Sequence, residues 1–202
     1  SFRGAYISFC LDKRGMHPVM KWCNAKSEME GLTPCYYADE EHSTPFRVGL
    51  TDDALNNESW VDWEANGYRL PTEAEWEKAA RGKESAWSYF PWNSLGGSWE
   101  DHIEPTYACY GNNSKGPVPV GSFMANSLGI YDMAGNVWEW CWDNYNMGFY
   151  KETNYSQMPN TKGPTYNFVT HHPSLGSVYS YNRVVRGGAW DSDGKELRCA
   201  NR

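Results

Sequence analysis

Two carboxylates, Asp132 and Glu139, bracket the run Asp132-Met-Ala-Gly-Asn-Val-Trp-Glu139, with Gly135 between them. Calcium takes about six to eight hard oxygens from carboxylates and backbone carbonyls at short range. A glycine lets the loop turn so that carbonyls point inward. The same pattern suits a turn whose carboxylates cap backbone N–H groups, so a structural calcium and a capped turn both stand as readings. Sulfur chemistry is less favoured. The six cysteines, Cys10, Cys23, Cys35, Cys109, Cys141 and Cys199, include no CxxC pair, so neither a zinc ribbon nor a thioredoxin-like site is expected. Their density is far below that of a disulfide scaffold, and buried free thiols acting as small hydrophobes are the expectation. Trp138, Trp140, Trp142 and Trp190 could stack on the apolar faces of sugars. Trp138 and Trp140 alternate as strand residues do, however, and core packing is the stronger reading of these rings.

Few elements are available to position these groups. A helix is predicted over about Pro18 to Glu30: Pro18 suits a first turn, Met20, Cys23 and Met29 lie near one face, and Gly31 suits a stop. A second begins at Thr72, which forms a capping box with Glu75, while Glu73 suits the positive helix end. Trp76, Ala79 and Ala80 give it a buried stripe, and Arg81 and Gly82 close it. Strands are predicted at Gly121 to Phe123, Ile130 to Tyr131, Val137 to Trp142 and Val184 to Trp190. The stretch from Asp143 to Tyr181 is polar, contains Pro159, Pro164 and Pro173, has no clear period, and reads as a long loop of the kind that is functional or mobile.

The chain has 202 residues, 40% hydrophobic and 21% charged, which fits one globular domain over 1–202. Aromatic residues make up 16%, with 11 Trp and 14 Tyr, so rings with polar handles carry much of the apolar mass. A net charge of −7 argues against a nucleic-acid partner. No apolar run is long enough to cross a membrane as a helix. Attachment to a membrane would therefore require a lipid anchor removed with a targeting segment.

Three long motifs carry a resemblance. Gly67-Tyr-Arg-Leu-Pro-Thr-Glu-Ala-Glu-Trp-Glu-Lys-Ala-Ala-Arg-Gly82, Asn126-Ser-Leu-Gly-Ile-Tyr-Asp-Met-Ala-Gly-Asn-Val-Trp-Glu-Trp140 and Arg183-Val-Val-Arg-Gly-Gly-Ala-Trp190, followed by Leu197-Arg-Cys-Ala-Asn-Arg202, stand in this order. They resemble the formylglycine-generating-enzyme (sulfatase-modifying factor) family. The resemblance implies an α+β, C-type-lectin-like fold with two main helices, short twisted antiparallel strands and much irregular loop. It implies a structural calcium held by the side chains of Asp132 and Glu139 and the carbonyls of Gly135 and Val137. It also implies a closing strand that would follow Arg202.

What the family's enzymes require is missing from the matching positions. Active members carry two cysteines just after the Arg-Gly-Gly strand, where they bind copper and oxidise a substrate cysteine. Here that place holds Asp191-Ser-Asp-Gly-Lys-Glu196, and soft Cu(I) selects sulfur. Cys199 matches a cysteine that is structural in the family, and its usual partner position holds Ala80. A second enzymatic branch binds iron through a His-x3-His-x-Glu cluster. None of His17, His42, His102, His171 and His172 stands in that pattern, and a ligand histidine needs further ligands and an orienting partner. Neither copper nor iron is expected.

The departures are most similar to a branch of the family diversified by retroelements, the treponemal variable proteins. Such proteins lack the catalytic cysteines and vary a C-terminal segment at adenine-rich codons. Asp191, Ser192, Asp193 and Asn201 are types that adenine mutagenesis reaches from an Asn codon; Lys195 and Glu196 fit less directly. The resemblance thus implies a monomeric, non-catalytic binding protein, at the cell surface or otherwise outside the cytoplasm. Its ligand face is Trp190, Asp191, Ser192, Asp193, Lys195, Glu196 and Asn201, with Tyr179 and Tyr181 nearby, and its partner is a protein or other surface ligand. The alternative is an oxidase or sulfatase-maturation enzyme of the same family, or another metal-dependent oxidoreductase.

Overall fold

The computed structural model describes residues 16–49, 57–83, 88–92, 103–146, 149, 161–164, 169–172, 176–179 and 183–202. Helix α1 spans Met16–Met29 and α2 spans Glu73–Arg81; the strands are β1, Glu139–Asn144, β2, Val169–His172, β3, Gly176–Tyr179, and β4, Arg183–Arg186. Short 3-10 turns cover Glu58–Trp60 and Gly194–Leu197. β1 pairs antiparallel with β4, setting Glu139 opposite Arg186, and β2 pairs with β3 as a hairpin. The contacts gather into two units, one holding α1 and the hairpin, the other α2, β1 and β4.

In the first unit, α1 buries Met16, Val19, Met20 and Cys23. Asn24 follows on the same face and meets the chain's next segment. Its amide donates to the Tyr36 carbonyl at 2.7 Å and accepts the Tyr36 N–H at 3.1 Å. A buried amide with both ends paired fixes a backbone more firmly than apolar contact alone. Met29, predicted on the buried face, is instead 83% exposed. At about 100° per residue it lies opposite Met20, which explains the difference.

The second unit is organised by α2. Thr72 and Glu75 form the predicted capping box: the Glu75 N–H donates to Thr72 Oγ1 at 3.2 Å and the Thr72 N–H donates to Glu75 Oε2 at 2.9 Å. Trp76 and Ala80 enter a core with Met133, Cys141, Val184 and Cys199. A neighbouring core joins Phe90, Ala108, Ala134 and Leu197. Cys199 therefore packs in the same cluster as Ala80. The described cysteines, Cys23, Cys35, Cys109, Cys141 and Cys199, are all buried and free.

Several predicted elements differ. Gly121 to Phe123 and Ile130 to Tyr131 are turns and irregular backbone rather than strands. The strand expected to run to Trp190 stops at Arg186, because Gly187 and Gly188 take φ of +92° and +77°, which ends an extended ladder. The long polar stretch after Asp143 is not structureless: it holds the β2–β3 hairpin.

Candidate functional site

The loop from Asn126 to Glu139 is built by side chains that replace missing backbone partners. Asn126 accepts the Leu128 and Ile130 N–H groups at 3.0 and 3.1 Å and donates to the Ala79 carbonyl at 2.6 Å, tying the loop to the end of α2. Asp132, buried at φ +57°, accepts the Gly121 N–H at 2.7 Å. Gly135 lies so close to Cys109 that a Cβ there would stand 2.1 Å from the Cys109 carbonyl oxygen. Its N–H donates to the Gly187 carbonyl at 2.8 Å. Asn136 accepts the Val118 N–H through Oδ1 at 3.0 Å, and its carbonyl accepts the Trp190 N–H at 2.9 Å.

Glu139 closes this loop. It is half-buried as a residue, but its carboxyl is enclosed, and Trp76 Nε1–H donates to it at 2.6 Å. Burial pushes that carboxyl up to about 7; the Trp76 bond opposes the rise and the Asp132 charge adds to it. The two carboxylates thus stand close enough to repel each other, and paired carboxylates are ligands of hard cations. The Gly121 bond matches the capped-turn reading at Asp132, whereas Glu139 takes the Trp76 indole N–H rather than a backbone one.

The segment after β4 is pinned from beneath. The Asn112 N–H donates to the Trp190 carbonyl at 3.0 Å and the Gly111 N–H to the Ser192 carbonyl at 2.9 Å. Ser192 is turned inward, its hydroxyl accepting the Ala189 N–H at 3.0 Å. Asp191, Asp193 and Lys195 point to solvent, while Trp190, Glu196 and Asn201 are half-buried. Lys195 lies 3.2 Å from Asp193, and the Asp193 N–H donates to Glu196 Oε2 at 3.2 Å. Tyr179 stands in β3, in the other unit, and Tyr181 lies outside the described residues.

One neighbour was not singled out by sequence reasoning. The loop from Tyr107 to Asn113 borders the segment, and a stack of Phe90, Trp92 and Tyr107, with centroids 4.8 and 5.1 Å apart, stands at its base. The signal was Gly111-Asn112-Asn113, residue types that accept positive φ; Gly111 and Asn112 take +57° and +60°.

A buried charge network anchors β4 behind this surface. Arg186 Nη1 donates to Glu73 at 2.5 Å and Nη2 to Glu77 at 2.9 Å, and Arg202 Nε donates to Glu73 at 2.6 Å. Burial pushes the Cys199 thiol up to about 12, which leaves it an unreactive core residue. His17 is buried and His42 stacks on Tyr37, His171 and His172 stand in β2, and His102 lies outside the described residues. Among the described residues no group of three His, Cys, Asp or Glu side chains could hold a metal. None of the described helices is long and apolar enough to cross a membrane.

Comparison with known proteins gives a consistent set of relatives. A family model, the sulfatase-modifying factor enzyme 1-like domain, matches residues 16–202. The chain is 36% identical over 142 residues to the formylglycine-generating enzyme of Streptomyces coelicolor, covering 65% of this chain and 40% of that one. It is 36% identical over 147 residues to chaperone protein LppX of Paenibacillus barcinonensis, covering 63% of this chain and 49% of that one. It therefore spans about half or less of the length of these relatives. Among solved structures, Treponema denticola variable protein 1 matches with a TM-score of 0.63 and 28% identity, over 92% of this chain and 62% of that one.

Proposed function

We propose that this chain, which belongs to the sulfatase-modifying factor enzyme 1-like family and has its α+β, C-type-lectin-like fold, is a non-catalytic protein that displays its C-terminal segment to a ligand. The observation that carries the reading is the contrast within that segment. Its backbone is held at Trp190 and Ser192 by Asn136, Ala189, Gly111 and Asn112, while Asp191, Asp193 and Lys195 face solvent. Exposed side chains on a fixed backbone can change at little cost to the fold. The place where the family's oxidases carry their copper-binding cysteines is occupied by Asp191 to Glu196, which supports binding over oxidation. The likeness to a variable protein points the same way.

The segment would be diversified by a retroelement, and the partner would be a protein or other surface ligand met outside the cytoplasm by a monomer. Comparing the gene with a neighbouring near-identical template repeat tests the diversification. Mismatches confined to template adenines are expected, and mismatches scattered over other bases would overturn it. The enzymatic alternative is tested by copper loading and a cysteine-containing peptide: no oxidation is expected, and measurable turnover would overturn the binding reading. Asp132 and Glu139, with the carbonyls of Gly135 and Val137, would hold a calcium that stiffens the loop supporting Trp190. Two carboxylates seven residues apart on one glycine-containing loop support this.

A further inference from the structure

Two buried oxygens at the end of β1 lack a donor. Asp143 is 0% exposed and Asn144 7% exposed, and neither Asp143 Oδ1 nor Asn144 Oδ1 has a hydrogen-bond partner. The partners of their other atoms are fixed. The Glu73 N–H donates to Asp143 Oδ2 at 2.6 Å, and Asn144 Nδ2 donates to the Pro164 carbonyl at 3.1 Å. That second bond sets the amide's orientation, because a carbonyl accepts only from the nitrogen end. The ladder between β1 and β4 is irregular from Trp140 to Asn144, and all five of these residues are buried. Ordinary alternation is lost, and Asp143 and Asn144 both meet the turn at 161–164. There the Gly163 backbone packs on the Asp143 carboxylate so closely that a Cβ would stand 2.5 Å from Oδ1.

Buried acceptors are rarely left unpaired; an ion or an ordered water is the usual explanation. Both orphans are hard oxygens, one carboxylate and one amide, the ligand type of hard cations rather than of zinc or copper. Burial raises the Asp143 carboxyl and Arg183 is the near guanidinium whose charge opposes that rise, but Arg183 donates to the Trp142 carbonyl and lies over the Trp142 ring at 4.7 Å. One carboxylate beside a guanidinium suits a single positive charge better than a divalent ion. We propose that Asp143 Oδ1 and Asn144 Oδ1 are ligands of a buried monovalent alkali cation, seated between the end of β1 and the turn at 161–164. The ion would join that turn to β1 and, through Asp143 Oδ2, to the start of α2.

The test uses the whole chain, stripped of ions and returned to choline, sodium or potassium chloride at equal ionic strength. Sodium or potassium should raise the melting temperature over choline by roughly 2–4 °C, and the larger rise identifies the ion. The rise should vanish in Asn144→Ala and persist in Asp132→Asn, which separates this site from the loop at Asp132 and Glu139. Crystals soaked in thallium(I) provide a readout independent of any variant, with an anomalous peak within ligand distance of both oxygens expected. Absence of that peak would overturn the proposal and leave an ordered water as the partner of both acceptors.

Discussion

Replacing Glu73 by Gln should be among the most damaging single changes in this protein. Glu73 and Arg186 have side chains 1% exposed and lie 2.5 Å apart. Arg202 adds Nε and Nη2 donors to Glu73 at 2.6 and 2.8 Å. Arg186 also donates to the Cys199 carbonyl and covers the Trp76 ring at 4.9 Å. Without the carboxylate, Arg186 stays buried with Glu77 as its remaining anion. Glu77 is 34% exposed and therefore compensates for about 1 kcal/mol at most. Breaking a buried pair by removing one partner costs about 3–5 kcal/mol. With a urea dependence of about 2 kcal/mol per M, the unfolding midpoint followed by tryptophan fluorescence should fall by about 1.5–2.5 M. Glu73→Leu combined with Arg186→Met should recover part of the loss, since the fully buried Arg186 charge is then gone and Arg202, 16% exposed, is left to turn toward water. A Glu73→Gln loss below about 1 kcal/mol would instead mean that Arg186 reaches water in the folded state and that the pair is not buried as described.

Other outcomes follow from the same geometry. Asp143 is raised in the folded state to about 7, by burial first and then by the Glu73 charge. Its contribution to stability is therefore full at low pH and lost as pH rises through about 7. In buffer free of calcium and alkali cations, this contribution should therefore lower the melting temperature from about pH 4, the ordinary carboxylate range, to about pH 7, and level off above it. A flat profile would contradict the burial argument. If calcium sits at Asp132 and Glu139, EDTA should lower the melting temperature of the parent chain and leave that of Asp132→Asn unchanged. Equal sensitivity of both would exclude Asp132 as a ligand. Gly135→Ala should cost about 2–4 kcal/mol in urea unfolding, because Gly135 has φ +74° and the Cys109 carbonyl fills the space of its Cβ.

What could be read in advance was what local chemistry controls. Thr72 and Glu75 sit three residues apart and satisfy each other, so the start of α2 follows from its own turn. Strand ends did not follow in the same way. A run of Val and Trp reads as extended from Val184 to Trp190, yet Gly187 and Gly188 turn the chain over Trp76 and Leu197, contacts that no local pattern reveals. The inward turn of Ser192 rests on Ala189 and Gly111, and composition cannot separate it from its exposed neighbours Asp191 and Asp193. The Glu73–Arg186 pair joins residues 113 apart in the chain. Its partners become visible only when α2 is laid against β4.

On the proposed function, changes at Asp191, Asp193 and Lys195 alter what is bound while leaving the fold intact. A library randomised at these three positions, with Ser192 and Trp190 kept, tests it most directly. Each exposed change should cost within about 0.5 kcal/mol, so most variants should melt within a few degrees of the parent, and selection against unrelated proteins should yield different binders. Broad unfolding across the library, or binding indifferent to all three positions, would contradict the claim.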